Sequence, residues 1–338
     1  MVKAISLLLL LLATAGAVVA AQQDPPRYTE TVNVGRVLID ARAIDSFGHP
    51  LLGLTEANFR VKIDGKAARV ESVQWVTGVL ADREIDPLMR PETPERPVAG
   101  RLVVFLFQKS MERGRITGFM RMLLNLRKFL DGFTPHDRLA ILSFDSRLRL
   151  WLDFTSDMGR VRRVLSKNLL FGGPAPPSAP QFPSLLDTVE RQQLDRTYTI
   201  ENALQVIAHA LEPLPGAKTL VLVGHGLGRG PEMVVESNYG EVRAALHRAR
   251  ASVFSLDVTE ADYHTLEAGL QLVAEDTGGF YERTHIFGRR ALDRLAAAIT
   301  GHYVLIVEKP NVRRGTHEIE VKLHGRNGTV LARNEYID

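Results

Sequence analysis

Ser110, His225 and Asp257 each close a run of apolar residues: LVVFLFQ (102–108), TLVLVG (219–224) and SVFSL (252–256). Continuous apolar runs of this length mark strands buried on both faces. The carboxyl ends of parallel strands are where α/β folds gather their ligand groups. A hydroxyl, an imidazole and a carboxylate in hydrogen-bond reach would make a hydrolase, with Ser110 as nucleophile and His225 as base. Ser110 sits in Gln-Lys-Ser-Met rather than in a Gly-x-Ser-x-Gly elbow, so loop residues of a binding face are the competing reading. His225 opens Gly224-His225-Gly226-Leu227-Gly228-Arg229-Gly230, which no Lys-Ser/Thr follows, so this segment reads as a glycine-rich rim and not a phosphate loop. The chain has no cysteine, which excludes thiol nucleophiles, thiolate metal ligation and disulfide staples.

The elements that must position these residues follow from periodicity. An amphipathic helix runs through Ile116, Phe119, Met120, Leu123, Leu126 and Leu130 and stops at Asp131-Gly132. LAILSF (139–144) is a second buried strand, and Leu148 to Leu152 alternate as a third strand. Helices are expected over Ile200–Leu211 with Thr199 as N-cap, over 236–250, before Gly278-Gly279 and near 288–300. Ser156 or Thr155 is expected to cap a helix carrying Arg160, Arg162 and Arg163. Buried strands alternating with helices define an α/β fold with a doubly wound, mostly parallel sheet over residues 101–300.

The flanks are different. Residues 28–77 read as an antiparallel β unit: strand periodicity over 31–45, a turn at Ser46–Pro50, a helical turn at Leu54–Phe59, then Phe59–Ile63 and Ala67–Val76 around an Asp64-Gly65 hairpin. Residues 78–100 carry four prolines among charges and read as a linker. Tyr303–Val307, His317–Leu323 and Thr329–Tyr336 are three strands of a tail over 301–338. Neither β region alone covers its apolar face, so the two are expected to pair into one flanking antiparallel sandwich, with the α/β unit inserted between its halves.

The 338 residues carry 42 Lys+Arg against 39 Asp+Glu, a net charge of +3 that gives no support to nucleic-acid binding. Residues 1–21 have the charge, apolar run and small-residue end of a signal peptide, with cleavage expected after Ala20 or Ala21. That places the mature chain in a periplasmic or secreted compartment, without stable membrane insertion after cleavage; an uncleaved anchor is the alternative.

VNVGRVLIDARAIDSFGHPLLGLTEANFRVKIDGK, LVVFLFQKSM, DRLAILSFDSRLRLWLDFTSD, LPGAKTLVLVGHG, SVFSLDV, LVAEDTGGFY and HYVLIVEKP together resemble the VWFA-related proteins of acidobacterial genomes, which carry a von Willebrand factor type A domain with β flanks. The resemblance implies a protein–protein interaction or adhesion domain. In that family a divalent cation is held by Asp-x-Ser-x-Ser after the first strand, a Thr from a second loop and an Asp after the fourth strand. Here those positions fall on Gln108, Ser110, Glu112, Tyr198 (between Thr197 and Thr199) and His225, with Lys109 adding a positive charge. Both charge-balancing carboxylates of the family pattern are missing, and a neutral amide with an imidazole suits Mg²⁺ poorly. His225 with Glu112 offers two ligands to a softer ion such as zinc and no third.

The expectation is a degenerate metal site, no cofactor and no catalytic residue. The partner is an unidentified protein, recognised by Gln108, Lys109, Ser110, Glu112, Tyr198, His225 and Arg229. A structural role in an envelope assembly, with the sandwich as contact element, is the other non-enzymatic reading.

Overall fold

The computed structural model describes residues 35–77, 100–172, 183–230, 233–261, 264–311 and 313–338. The expected leader, most of the expected linker and residues 173–182 lie outside the described residues. Gly35–Asp338 forms one compact unit.

The apolar run at 102–108 is strand β5 (Leu102–Gln108), buried along its whole length. Successive side chains of a strand point to opposite faces, and both faces here are covered. Leu102, Val104 and Leu106 pack against the core of one face and Val103, Phe105 and Phe107 against that of the other. Helices α3 (Ile200–Leu211), α4 (Tyr239–Arg248) and α5 (Glu267–Asp276) cover the first face. Helices α1 (Arg113–Phe129), α2 (Met158–Arg163) and α6 (Gly288–Ala298) cover the second. Each fully buried Leu or Phe of these faces contributes roughly 1.5–3 kcal/mol of transfer free energy.

The remaining strands of this sheet are β6 (Arg138–Phe144), β7 (Leu148–Thr155), β8 (Lys218–Gly224), β9 (Ala251–Asp257) and β10 (Tyr281–Arg283). The order is β10-β9-β8-β5-β6-β7, parallel except for β7. The chain leaves β5 toward β6 on one side and returns through β8 on the other. The carboxyl ends of β5 and β8 therefore flank the switch in strand order, where such sheets open a crevice. The short strand β10 was not expected from the sequence; its three residues give no period. The cap of α2 is corrected as well. The Asp157 carboxylate accepts from the Arg160 N–H at 2.9 Å, while Thr155 accepts from the Asp157 N–H and does not cap.

The flanks meet as expected. One four-stranded antiparallel sheet joins β1 (Arg36–Ile44) and β4 (Val70–Val76) to β11 (His302–Glu308) and β13 (Thr329–Ala332), in the order β13-β1-β11-β4. The other joins β2 (Phe59–Ile63) and β3 (Lys66–Ala68) to β12 (Thr316–Leu323) and β14 (Glu335–Ile337), in the order β14-β12-β2-β3. Their shared core holds Ile39, Phe59, Ile63, Tyr303 and Leu305, among others. The Asp64-Gly65 turn takes φ of 50° and 73°, the left-handed pair that a two-residue hairpin needs. Two expected strands are each split. Residues 67–76 and 329–336 cross from one sheet to the other, at Arg69 and at Arg333–Asn334, so their halves pair with different partners. Alternation persists through such a crossing, which hides it from a reading of period alone.

No helix among the described residues is long and apolar enough to cross a membrane.

Candidate functional site

The loops after β5, β8, β9 and β10 and the loop before α3 share one end of the parallel sheet. Gln108 is buried at the end of β5. Its side-chain oxygen accepts from the backbone N–H groups of His225, at 2.9 Å, and Gly226, at 3.2 Å. The amide thus ties the β5 and β8 loops together. Gly224 makes room for it: a Cβ there would lie 2.7 Å from the Gln108 oxygen.

His225 is buried, and its Nδ1 has no hydrogen-bond partner among the described residues. Burial, assisted by the Arg115 guanidinium, pushes its pKa down to about 4, so the ring is neutral at neutral pH. Ser110 spends its hydroxyl locally, accepting from the Glu112 N–H at 3.2 Å. Among the described residues no hydrogen bond joins Ser110 to His225. The Ser110/His225 hydrolase arrangement is therefore not assembled: the hydroxyl turns into its own loop and the imidazole is sequestered. Glu112 is exposed and pairs with Arg115 at 3.1 Å, three residues along, at the start of α1. Lys109 also leaves the centre. Its ammonium stands 5.5 Å from the Trp151 ring, and burial lowers its pKa against the opposing pull of Asp145.

In the second loop Tyr198 is exposed. Its neighbours are committed elsewhere: the Thr197 hydroxyl donates to the Gln193 carbonyl, and Thr199 caps α3 by accepting from the Asn202 N–H. Arg229 pairs with Glu236 at 2.6 Å.

Asp257 is the centre of a cluster that sequence reasoning did not find. It accepts from the Thr259 N–H, from the Tyr281 hydroxyl at 2.9 Å and from His264 Nε2 at 2.6 Å. Burial works to raise the Asp257 pKa, but the His264 and Thr259 hydrogen bonds hold it below the usual carboxylate range. Glu267 lies alongside and is held by both arms of Arg283, at 2.7 and 3.2 Å. Asp257, His264 and Glu267 bring ligand atoms within 4.8 Å of one another, so they are the described group with metal-ligand geometry. A cation there would have to take Asp257 from His264 and Glu267 from Arg283. The available signal was spacing: His264 and Glu267 are three apart at a helix entry, and Tyr281 and Arg283 two apart on a strand. Glu201 was missed too. It is a buried carboxylate that accepts from the Gly228 N–H at 2.7 Å and fixes the glycine-rich rim.

No family model and no curated relative matches the chain. Among solved structures it is similar to an aerotolerance-related membrane protein from Bacteroides fragilis (15% identity, 59% of this chain and 98% of that one, TM-score 0.39). It is also similar to BatB from Bacteroides thetaiotaomicron (13% identity, 60% and 98%, TM-score 0.41). A third is the vWF domain of the type V pili tip protein Mfa5 from Porphyromonas gingivalis (10% identity, 59% and 94%, TM-score 0.40).

Proposed function

We propose that the chain is an exported, non-enzymatic protein of VWFA type that docks a protein partner on the loops at the carboxyl ends of its parallel strands, with no ion bridging the contact. The observation that carries this reading is where large apolar side chains are left in water. Met111 is 85% exposed, Tyr198 70%, and Ile286 and Phe287 63% each, with Met233 beside the glycine-rich rim. These five belong to loops of that one end, while Phe47, Leu52, Met120, Leu124 and Ile337 are exposed elsewhere on the surface. Exposed apolar side chains gathered in one region mark an interaction surface. The buried amide of Gln108 holds the loops beneath them in a fixed arrangement. That is the preorganisation a recognition surface needs, since a loop ordered only on binding costs affinity.

The non-enzymatic part rests on the committed state of the polar groups: Ser110, Glu112, Thr197, Thr199 and Arg229 all have protein partners. The export part rests on residues 1–21.

The test is crosslinking of the exported chain in its native envelope or secreted fraction, with Met111→Lys and Phe287→Glu as paired variants. Partner crosslinks that map to the 108–112, 198 and 284–287 loops and vanish in the variants are expected. Crosslinks confined to the sandwich would overturn the reading. Calorimetric titration of the purified chain with Mg²⁺, Mn²⁺, Ca²⁺ and Zn²⁺ tests the ion-free part, which micromolar binding lost in Glu112→Ala would overturn.

A further inference from the structure

Helix α1 with its continuation to Leu130, and α2 with the turns that follow it to Phe171, carry nine Lys and Arg and no Asp or Glu. The rest of the chain has 33 cations against 39 carboxylates. Positive charge is therefore gathered on these two elements, which cover the second face of the parallel sheet. A merely solvated face mixes both signs.

Ion pairs account for three of the nine: Arg115 with Glu112, Arg121 with Glu260 at 2.9 Å, and Arg162 with Asp131 at 2.5 Å. Arg127, Lys128, Arg163 and Lys167 are exposed, and among the described residues no carboxylate pairs with them.

A groove of about 130 Å³ lies between the two elements. Leu123, Leu130 and Leu165 are its buried floor, while Met120 and Leu124 stand at its lip, 40% and 64% exposed. Arg127 and Arg162 line it as well. Lys128 lies one turn beyond Leu124 on α1, and Arg163 and Lys167 adjoin the opposite wall. That wall is a π turn over Val164–Asn168, an irregularity that recurs at functional sites.

Size and charge decide the occupant. A cavity of about 150 Å³ holds one benzene, so this groove takes one aromatic ring or branched aliphatic side chain. A drug-sized molecule needs roughly 300 Å³ or more. The apolar floor is sunk below its lip, whereas a membrane-binding face pushes its apolar side chains into the acyl boundary. A second copy docked through the same face would set cation against cation.

We propose that the groove binds an acidic amphipathic segment of a partner protein. One Leu or Phe of the segment fills the groove, and Asp or Glu on either side of it meets Arg127, Lys128, Arg163 and Lys167. An apolar anchor laid into a groove supplies the affinity. The flanking charges speed encounter and turn away basic competitors, an effect that falls with salt. The inference does not rest on the docking of a partner at the strand-end loops.

The test is selection of a displayed library of random peptides on the purified full chain, followed by fluorescence anisotropy with the enriched peptides. These are expected to be net acidic with a bulky apolar residue, and to bind more weakly as salt rises. Leu124→Glu, and separately the pair Arg127→Glu with Lys128→Glu, should each weaken them about tenfold. Leu124 is exposed, so the unfolding midpoint of Leu124→Glu should hold within a few degrees. Met111→Lys and Phe287→Glu should leave peptide binding unchanged. A selection without acidic enrichment, or peptides that bind Leu124→Glu as well as wild type, overturns the proposal. Vesicles of phosphatidylglycerol are the second arm: binding to them that Leu124→Glu abolishes, with no peptide enriched, assigns the face to a membrane and overturns it too.

Discussion

The side-chain oxygen of Gln108 accepts from two consecutive backbone N–H groups, those of His225 and Gly226, and so joins the ends of two adjacent parallel strands. A neutral amide thus organises these loops through buried hydrogen bonds. Gln108→Ala leaves both N–H groups unpaired in a site closed to water and is expected to cost about 2–4 kcal/mol. Gln108→Glu keeps an acceptor and is expected to lose less. Urea unfolding of the two variants measures the difference, and equal stability of Gln108→Ala and wild type would sink the claim.

His225 has a folded-state pKa of about 4 against an ordinary 6.5, lowered by burial and by Arg115 and opposed by Asp257. The unfolded chain therefore binds the extra proton first as pH falls. The stability contributed by the neutral ring is complete above about 6.5 and is lost as pH drops toward 4, with a slope approaching about 1.4 kcal/mol per pH unit. His247, likewise lowered by burial to about 4, adds a parallel loss. His225→Gln should flatten the pH dependence of unfolding free energy by about one proton between pH 6.5 and 4. An unchanged slope would mean that the ring is solvated.

The fold was legible in the sequence because it is written in side-chain volume and period. LVVFLFQ could only be a strand covered on both sides, and half-alternating flanks that could not bury themselves alone had to find each other. The sheet crossings at Arg69 and Arg333 were not legible, since alternation continues through a change of partner. At the candidate site the residue types at Gln108 and His225 were visible, but the bond that joins their loops was not. The Gln108 bond is made to main-chain N–H groups 117 and 118 residues away, which no residue type announces. The Asp257–His264–Tyr281 cluster needed β10 beside β9, and three residues of strand are too few to show a period.

Asp40 on β1 receives both arms of Arg250, at 2.5 and 2.9 Å, and lies 3.3 Å from His302 Nε2, tying the sandwich to the α/β sheet. Burial works to raise the Asp40 pKa, but Arg250 and His302 hold it well below the ordinary carboxylate range. A depressed carboxylate pKa contributes stability that is present above about pH 4 and lost as pH falls further. Asp40→Asn takes the countercharge from a shielded guanidinium and is expected to cost about 3–5 kcal/mol at neutral pH. The gap between variant and wild type should close below about pH 4 in acid unfolding followed by circular dichroism. A gap that stays constant with pH would contradict the ionic account.

Gly118 lies inside α1, where alanine is normally worth about 1 kcal/mol more than glycine. It faces the end of β9 so closely that a Cβ would stand 1.8 Å from the Val258 carbonyl oxygen. The helix reaches the sheet through a missing side chain. Restoring one must push α1 away from the strand end and from the Phe119 and Met122 packing that accompanies it. Gly118→Ala is therefore expected to destabilise by about 2 kcal/mol or more, overpacking outweighing propensity. Gly114→Ala, one turn earlier with nothing within 4 Å of its Cβ, is expected to stabilise by up to about 1 kcal/mol. Guanidinium unfolding of the pair separates packing from propensity, because the same substitution in the same helix should change sign with its distance from Val258.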